Sequence, residues 1–462
     1  MGRARVVFAI LAAALVCAGS ASAASGWTEV TITASDSTPL ACAYIVPSGT
    51  APAGGWPGVI LFHGLGQSHV DMEPYGSELA QFGFAALACD ARGTGASGGN
   101  FGLDGPTEVQ DARTLFNWFS ARSDVSDTEI GAFGLSLGGG EVWNAAAAGV
   151  PFKAIVPAIT WTDLVQALAP ANAPKGGLVF QLSQLYQGQW DPPLAQARDD
   201  LLGGIVTQAV RTASTARSSR PELHSLRVPT LILQGRHDFL FDLDQALAAY
   251  KLLAGPKRLY LGDLGHAPAT NPTAEEPTLL AQVLGWFEEY LAGGPKVGGG
   301  VELAHDPWDG RTTKYKGIPS TRRVMVNLPG TKKVFSGSVR RSVRLPGGPL
   351  ETFGDGSLRV HYSGNLGDWT EIRAMVSAKG SKTPITVGAA PLTKAAGVLT
   401  IPLLDEAVLI PRGRRLVVTV GATSADGVYT PIDGGGPPGA PPAITIRSIT
   451  LELSLLRRTV SK

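Results

Sequence analysis

A short segment around Ser136 constrains the fold more than any other part of the chain. Residues 134–138 read Gly-Leu-Ser-Leu-Gly, with an apolar stretch at 130–133 before them and small residues at 139–149 after them. This context predicts a strand that turns sharply into a helix at the serine. The flanking positions must be glycine, because neighbouring backbone passes very close to such a turn. The motif therefore predicts a nucleophile elbow that lifts the Ser136 hydroxyl clear of a sheet.

Two further side chains follow in the order that such an elbow requires. One apolar strand pattern ends just before Asp238, and the next ends just before His266. A serine hydroxyl is a poor nucleophile near neutral pH, so His266 is the candidate base and Asp238 the acid that orients it. The order Ser136, Asp238, His266 predicts an α/β-hydrolase fold. Asp263 shares the loop of the histidine and is the second choice for the acid.

A glycine-rich loop upstream completes the candidate site. Residues 56–62 form an apolar strand pattern, and His-Gly-Leu-Gly follows it. The backbone N–H groups of Leu65 and Leu137 are the predicted oxyanion-hole donors, each typically worth about 10²–10³ in rate. His63 stands beside the glycine turn and Asp90 ends another strand. We interpret both as residues that order their loops by hydrogen bonding.

Four segments of the chain resemble those of one group of enzymes. These segments are residues 90–97 (Asp-Ala-Arg-Gly-Thr-Gly-Ala-Ser), 131–139, 152–157 and 161–164. Together they are similar to the Xaa-Pro dipeptidyl-peptidases and cocaine-esterase-like hydrolases. The resemblance implies an α/β-hydrolase domain with a helical cap, joined to a C-terminal β-sandwich of jelly-roll type.

The same resemblance implies roles for the candidate residues. It makes Ser136 the nucleophile, Asp238 the acid and His266 the base, and it implies a scissile ester or Xaa-Pro amide bond. These enzymes commonly place a tyrosine hydroxyl in the oxyanion hole just after the third strand. This chain departs from that pattern, because the loop that carries Leu65 stands there instead.

Strand and helix patterns divide the chain into two domains. We expect an eight-stranded, mostly parallel sheet within residues 24–292, with a helical cap inserted at about 161–225. A glycine-rich linker follows at 293–300. Beyond it, short alternating runs separated by Gly and Pro turns predict an all-β, jelly-roll-like sandwich in residues 301–462.

The N-terminal residues predict export. Two arginines precede an apolar run at 6–16, and an Ala-Ser-Ala sequence ends at Ala23. This pattern is typical of a secretory signal peptide. We therefore expect a signal peptide at residues 1–23, cleavage after Ala23 and a secreted protein. The apolar run is short for a bilayer, and no other stretch approaches the required length, so we expect no membrane span.

Two cysteines, Cys42 and Cys89, follow the predicted cleavage site. The strands that carry them, 40–46 and 84–90, are neighbours in α/β-hydrolases, and in an oxidising compartment the pair can form a disulfide. Two buried free thiols are the alternative, because the sequence does not fix the register of the two strands.

The formal net charge of +1 conceals two domains of opposite sign. Residues 24–300 carry a net charge of −11 and residues 301–462 a net charge of +10. Complementary docking of the domains is the simplest consequence, and a basic module that binds an anionic surface is the alternative.

No recognition motif accompanies the positive charge, so we expect no nucleic-acid partner. The seven histidines are scattered, and we predict neither a metal site nor a cofactor.

These patterns predict a secreted serine hydrolase that cleaves an ester or peptide acyl bond through an acyl-enzyme. Its partner is a small ester, a peptide or a polymer substrate. A carboxylesterase or polyesterase without peptidase activity is the alternative to a Xaa-Pro dipeptidyl-peptidase, which must bind a free α-ammonium. The cap offers four carboxylates that could bind such a group, namely Asp163, Asp191, Asp199 and Asp200. A catalytically silent cell-wall or carbohydrate-binding protein is the alternative of another class.

Overall fold

The structure is a computed structural model. It describes residues 26–457 except for 267–268, 335–337, 346, 366–370, 382, 422–426 and 430–442. The signal peptide predicted at residues 1–23 lies outside the described residues. Among the helices that the structure describes, none is long and apolar enough to cross a membrane.

The N-terminal part of the chain forms one large mixed sheet. Its strands are β1 (Thr28–Thr33), β2 (Pro39–Ile45), β3 (Trp56–Phe62), β4 (Ala85–Cys89), β5 (Val125–Leu135), β6 (Ala154–Ala158), β7 (Thr230–Gly235), β8 (Lys257–Gly262), β9 (Gly300–Ala304) and β10 (Thr312–Tyr315). They lie in the order β1-β2-β4-β3-β5-β6-β7-β8-β9-β10. The strands from β4 across to β9 are parallel, whereas β1, β2 and β10 pair antiparallel at the edges.

Helices cover both faces of this sheet. They are α1 (Glu73–Gln81), α2 (Pro106–Ser120), α3 (Leu137–Ala147), α4 (Leu164–Leu168), α5 (Gly176–Leu185), α6 (Pro192–Leu202), α7 (Gln208–Thr215), α8 (Leu243–Leu252) and α9 (Glu276–Leu291), with 3₁₀ turns at His69–Met72, Pro170–Asn172 and Thr273–Glu275. Helices α2, α3 and α8 pack on one face, and α1 and α9 on the other. Strands β4 and β6 are therefore buried along their whole length, which explains their continuous apolar sequences. Helices α4 to α7 lie between β6 and β7, where the cap is expected.

The C-terminal part is a sandwich of antiparallel sheets. Its strands are β11 (Thr321–Val334), β12 (Ser338–Arg344), β13 (Leu350–Asn365), β14 (Glu371–Ala378), β15 (Pro384–Pro391), β16 (Ala396–Leu403), β17 (Leu409–Ile410), β18 (Arg415–Gly421) and β19 (Ala443–Leu456). One sheet has the order β11-β19-β13-β16, with β17 beside β13, and the other has the order β12-β18-β14-β15. Alternating Val, Ile and Leu side chains fill the space between the sheets. The predicted fold class is confirmed.

The structure differs from the predicted organisation in three details. The large sheet has ten strands in the described residues, not eight, because β9 pairs with β8 and β10 pairs with β9. The sandwich therefore begins at Thr321 and not at residue 301. Residues 293–300 also pack on the hydrolase domain, since the Arg258 guanidinium donates to the carbonyl of Val297 at 2.8 Å. Strand β9 follows a run of glycines and is identified as a strand only by its pairing with β8. The sequence therefore suggests a linker at this position.

The two domains share a buried contact that contains an ion pair. Its cation belongs to the acidic domain and its anion to the basic domain, the reverse of what the net charges of the domains predict. The guanidinium of Arg236, in the acidic hydrolase domain, donates to the Ala407 carbonyl at 2.9 Å and pairs with Glu351 of the basic sandwich. Phe353 and Leu456 of the sandwich join the apolar core of the hydrolase domain. Local packing and the cation of the acidic domain therefore hold this contact, and the net charges of the domains do not explain it.

The structure resolves the alternatives left open for the two cysteines. Cys42 and Cys89 are directly opposite each other on the antiparallel strands β2 and β4, and a disulfide joins them. The register that the sequence left undetermined comes from the pairing of these two strands with β1 and β3 on either side.

Candidate active site

Ser136 lies at the turn from β5 into α3, in a backbone conformation that few residues adopt. Its φ is 55° and its ψ is −111°. A side chain at Gly134 would overlap the backbone of Gly138, and one at Gly138 would overlap the backbone of Phe62. The two glycines therefore allow β3, β5 and α3 to approach closely, and this approach stores the strain typical of functional turns. The elbow geometry predicted from the sequence is present.

The structure brings Ser136, His266 and Asp238 into one hydrogen-bonded chain. Ser136 Oγ lies 2.8 Å from His266 Nε2, and His266 Nδ1 lies 2.9 Å from Asp238 Oδ2. Because the carboxylate can only accept, Nδ1 carries a proton and Nε2 is free to accept the serine proton. The ring of Phe241 meets the imidazole edge-on at a centroid distance of 5.1 Å, which holds the orientation of His266.

Asp238 is better placed for the acid role than Asp263. Its carboxylate is fully buried and accepts further hydrogen bonds from the backbone N–H groups of Leu240 and Phe241, both at 3.1 Å. Asp263 instead accepts from the Thr270 hydroxyl at 2.6 Å and does not contact the imidazole. The loop after β7 therefore presents one rigid carboxylate to the histidine.

The two predicted oxyanion donors lie on loops that are joined to each other. The N–H of Gly138 donates to the carbonyl of His63 at 3.0 Å, which ties the start of α3 to the loop after β3. Within the described residues, the N–H groups of Leu65 and Leu137 donate to no protein acceptor. Both groups can therefore donate to another acceptor, and their role as oxyanion donors stays a prediction.

His63 and Asp90 have the loop-ordering contacts expected of them. His63 Nδ1 donates to the Gly64 carbonyl at 2.8 Å, and His63 Nε2 accepts from the Ala91 N–H at 2.9 Å. Burial lowers the pKa of His63, so the ring is neutral with its proton on Nδ1. Asp90 accepts from the backbone N–H groups of His69 and Ala96, both at 2.7 Å. The loops after β3 and β4 thus support each other beside the site.

A buried cap lysine also supports the site, and the sequence analysis missed it. Lys175 is fully buried, and its Nζ donates to the carbonyls of Phe239 at 2.9 Å and Leu240 at 3.0 Å, in the loop that carries Asp238. Burial lowers the pKa of Lys175, while the carboxylates of Asp242, Asp238 and Glu406 oppose that change. One lysine between a proline and two glycines carries no sequence signal for this role.

Glu406 places a carboxyl group from the sandwich near the same loop. It is buried, and neither of its carboxyl oxygens has a hydrogen-bond partner among the described residues. Burial raises the pKa of Glu406 well above its ordinary range, and the charges of Asp242 and Asp238 raise it further. The neighbouring Asp405 carbonyl accepts from the Leu243 N–H at 3.0 Å. The acid loop is therefore enclosed by the cap on one side and the sandwich on the other.

A pair of carboxyl groups lies beneath the elbow. Asp104 and Glu141 are both buried, and the two carboxyl groups are close enough for their charges to interact. Burial raises the pKa of each carboxyl well above its ordinary range, and the charge of Glu108 raises both further. No described N–H or O–H donor reaches either oxygen of Glu141. Burial therefore disfavours the ionised form of both carboxyl groups next to the first turn of α3.

The aromatic residues of the cap pack it onto the hydrolase domain. Phe101, Tyr186 and Trp190 form a cluster with ring centroids 4.6 to 5.4 Å apart. The Tyr186 hydroxyl donates to the Gly93 carbonyl at 2.8 Å, and the Trp161 indole donates to a buried backbone carbonyl. These contacts give the cap aromatics a packing role.

Comparison with known proteins places this fold and site in context. The family model of X-Pro dipeptidyl-peptidase (S15 family) matches residues 36–268. A curated relative, an uncharacterized 31.7 kDa protein of Escherichia coli from the traX-finO intergenic region, is 33% identical over 126 residues. That match spans 27% of this chain and 43% of the relative, so the chain matches less than half of the relative's length.

Solved structures share the whole architecture at low sequence identity. A CocE/NonD family hydrolase from Staphylococcus aureus has a TM-score of 0.70 at 12% identity, covering 93% of this chain and 94% of that one. An α-amino acid ester hydrolase has a TM-score of 0.68 at 13% identity, covering 96% and 98%. An aminopeptidase from a marine sediment archaeon (Thaumarchaeota archaeon) has a TM-score of 0.64 at 13% identity, covering 93% and 97%. These structures share the fold, and the family match over residues 36–268 shows that the chain belongs to the X-Pro dipeptidyl-peptidase (S15) family.

Proposed function

We propose that this protein is an exported serine hydrolase that cleaves carboxylic esters through an acyl-enzyme on Ser136. The hydrogen-bonded chain from Ser136 through His266 to Asp238 carries the proposal. His266 Nε2 takes the hydroxyl proton as Ser136 Oγ bonds to the acyl carbon. Asp238 holds the imidazole in this tautomer and stabilises the imidazolium that forms.

The remaining steps use the same groups in reverse. The oxyanion of the tetrahedral intermediate accepts hydrogen bonds from the N–H groups of Leu65 and Leu137. His266 then gives its proton to the departing alkoxide, and the bond between the acyl carbon and the leaving oxygen breaks. A water molecule attacks the acyl-enzyme with His266 as base, which releases the carboxylic acid and restores Ser136.

The surroundings of the elbow support an ester with an uncharged, apolar acyl group. Leu137 packs in one cluster with Phe239 and Phe241, and the partly exposed side chains of Leu65 and Leu182 lie against the same cluster. An apolar lining binds an alkyl or aryl group by burial and offers no partner to a charged one.

The four cap carboxylates already have local partners, which does not favour capture of a free α-ammonium. Asp163 accepts from the Gln166 N–H at the start of α4. The other three contact side chains of the cap: Asp191 with Arg217, Asp199 with Arg198, and Asp200 with Gln196 and Thr207. A Xaa-Pro dipeptidyl-peptidase is the second candidate, favoured by the family match over residues 36–268.

A side-by-side assay separates these candidates. We expect p-nitrophenyl esters to be hydrolysed and Xaa-Pro-p-nitroanilides to be poor substrates, with Ser136→Ala as the background for both. Faster turnover of the anilides would assign the peptidase activity instead. If the wild type and Ser136→Ala hydrolyse every substrate at the same rate, the chain is better explained as a catalytically silent binding protein.

The proposal of export has separate support. A disulfide between Cys42 and Cys89 persists only in an oxidising compartment in most organisms. N-terminal sequencing of the protein recovered from culture medium should begin at residue 24. A mature chain that begins at residue 1 would contradict the predicted cleavage.

A further inference from the structure

Three metal-ligating side chains from separate segments meet at the N-terminal edge of the hydrolase domain. Glu29 lies on β1, His69 begins a 3₁₀ turn and Glu73 begins α1. Each offers one ligand atom, and these three atoms all lie within 4.8 Å of one another. Among the described residues, no other group of three His, Cys, Asp or Glu side chains meets that condition.

The orientation of His69 is the second observation that points to a metal ion. Its Nδ1 lies 2.8 Å from Asp90 Oδ1, and its own backbone N–H donates to the same oxygen at 2.7 Å. The ring is therefore fixed with Nε2 directed at Glu29, whose carboxylate oxygen is 3.4 Å away. Histidine ligands of metals commonly donate their other ring N–H to a carboxylate in this way.

The distance between His69 and Glu29 and the charge of the three groups fit a small divalent cation. Tetrahedral zinc, with bonds of about 2.0–2.1 Å, separates its ligand atoms by about 3.3 Å, close to the 3.4 Å between His69 and Glu29. The Glu29 side chain is 69% exposed, so the cluster is open to water, which can supply a fourth ligand. Counting Asp90, three carboxylates surround one imidazole, and a divalent cation offsets that charge.

We propose that His69 Nε2 and the carboxylates of Glu29 and Glu73 bind a zinc-class divalent cation, with water as the fourth ligand. One imidazole and two carboxylates form a donor set suited to zinc, whereas magnesium prefers oxygen ligands alone. The ion would join β1 to the start of α1. Through Asp90 it would also hold the loop after β4, where the Ala91 N–H donates to His63 beside the oxyanion loop.

This site is separate from Ser136, so its test does not depend on the proposed hydrolysis. The full chain is stripped with a chelator and titrated with Zn²⁺ and, separately, Mg²⁺ in a calorimeter. We expect one zinc site and no comparable magnesium binding. Glu29→Gln and Glu73→Gln should each weaken zinc binding at least about 10-fold. Glu29 is exposed, so its variant should fold normally, and thermal unfolding without metal checks this.

Two matched variants control for unspecific binding. Glu78→Gln changes another carboxylate on α1, and His305→Gln removes an exposed histidine that pairs with Asp309. Both should bind zinc as tightly as the wild type. If the wild type binds no zinc, or if Glu29→Gln and Glu73→Gln bind it with unchanged affinity, the proposal is wrong. His69 would then be only the centre of an ion-paired bridge between Glu29 and Asp90.

Discussion

The Nζ of Lys175 donates a hydrogen bond to the carbonyl of Phe239, the residue that follows the candidate acid Asp238. The cap thereby holds the loop that must keep Asp238 in line with His266. The buried amino group fixes the loop through two carbonyls and cannot be replaced by an apolar side chain without leaving them unsatisfied.

Lys175→Met tests this positioning role. We expect a loss of ester hydrolysis on the order of 10²-fold, because a small displacement of a catalytic group costs about that much. A structural role alone would lower the melting temperature and leave kcat unchanged once the protein is folded. The control is Lys153→Met, which removes a half-exposed lysine paired with Glu129. If folded Lys175→Met has an unchanged kcat, Lys175 has no positioning role in catalysis.

The assignment of the acid is tested by two matched asparagine variants. Asp238→Asn should lower kcat on the order of 10⁴-fold, because the amide favours the wrong tautomer of His266. Asp263→Asn should lower it less than about 10-fold, since its carboxylate contacts Thr270 and not the imidazole. Rates for p-nitrophenyl acetate decide the ranking. If the two variants lose equal amounts of activity, Asp263 shares the role of the acid with Asp238.

The carboxyl pair beneath the elbow predicts a dependence of stability on pH. The folded-state pKa values of Asp104 and Glu141 are raised, so their contribution to stability is complete at low pH and is lost as pH rises through those values. Glu108, Asp111 and Arg217 face the same pair. Glu141→Gln replaces one of the two buried carboxyl groups by an amide of similar size that cannot ionise. We therefore expect this variant to be more stable than the wild type at pH 8.

Urea unfolding at two pH values measures this effect. The gain from Glu141→Gln should shrink at pH 5, because the raised pKa of Glu141 favours its neutral form in the folded wild type at the lower pH. Glu222→Gln changes an exposed carboxylate and should alter stability little at either pH. An equal gain for Glu141→Gln at both pH values would show that the ionisation of Glu141 does not cause the difference in stability.

The disulfide predicts a stability difference between oxidised and reduced protein. Non-reducing peptide mapping should give one peptide that contains both Cys42 and Cys89. The double variant Cys42→Ser, Cys89→Ser should lose about 2–4 kcal/mol of unfolding free energy. Two alkylatable thiols in the unreduced, denatured protein would contradict the bridge.

The sequence predicts local features well and long-range contacts poorly. Ser136 could be recognised because the elbow needs glycines within two residues of it, and Asp238 and His266 because each follows an apolar strand. The parallel strands can also be predicted from the sequence. Both faces of β4 and β6 are buried, so their sequences are continuously apolar. In contrast, β9 follows a glycine run, and only its pairing with the distant β8 identifies it as a strand.

The unpredicted parts of the site come from residues that are far apart in the chain. Lys175 and Glu406 approach the acid loop from the cap and the sandwich, and neither has a neighbouring motif that marks it. Glu29 and His69 are 40 residues apart and meet only because β1 and the 3₁₀ turn pack together. Contacts of this kind depend on the relative placement of whole elements, which spacing along the chain does not determine.

The most direct test of the central claim is the reaction of the protein with a fluorophosphonate probe, followed by mass spectrometry of the labelled peptide. The probe reacts rapidly only with a serine whose proton a neighbouring base accepts. We predict one label per chain, on Ser136, and none in Ser136→Ala or in His266→Ala. Absence of label on the folded wild-type protein, or a label on another serine, would contradict the proposed mechanism.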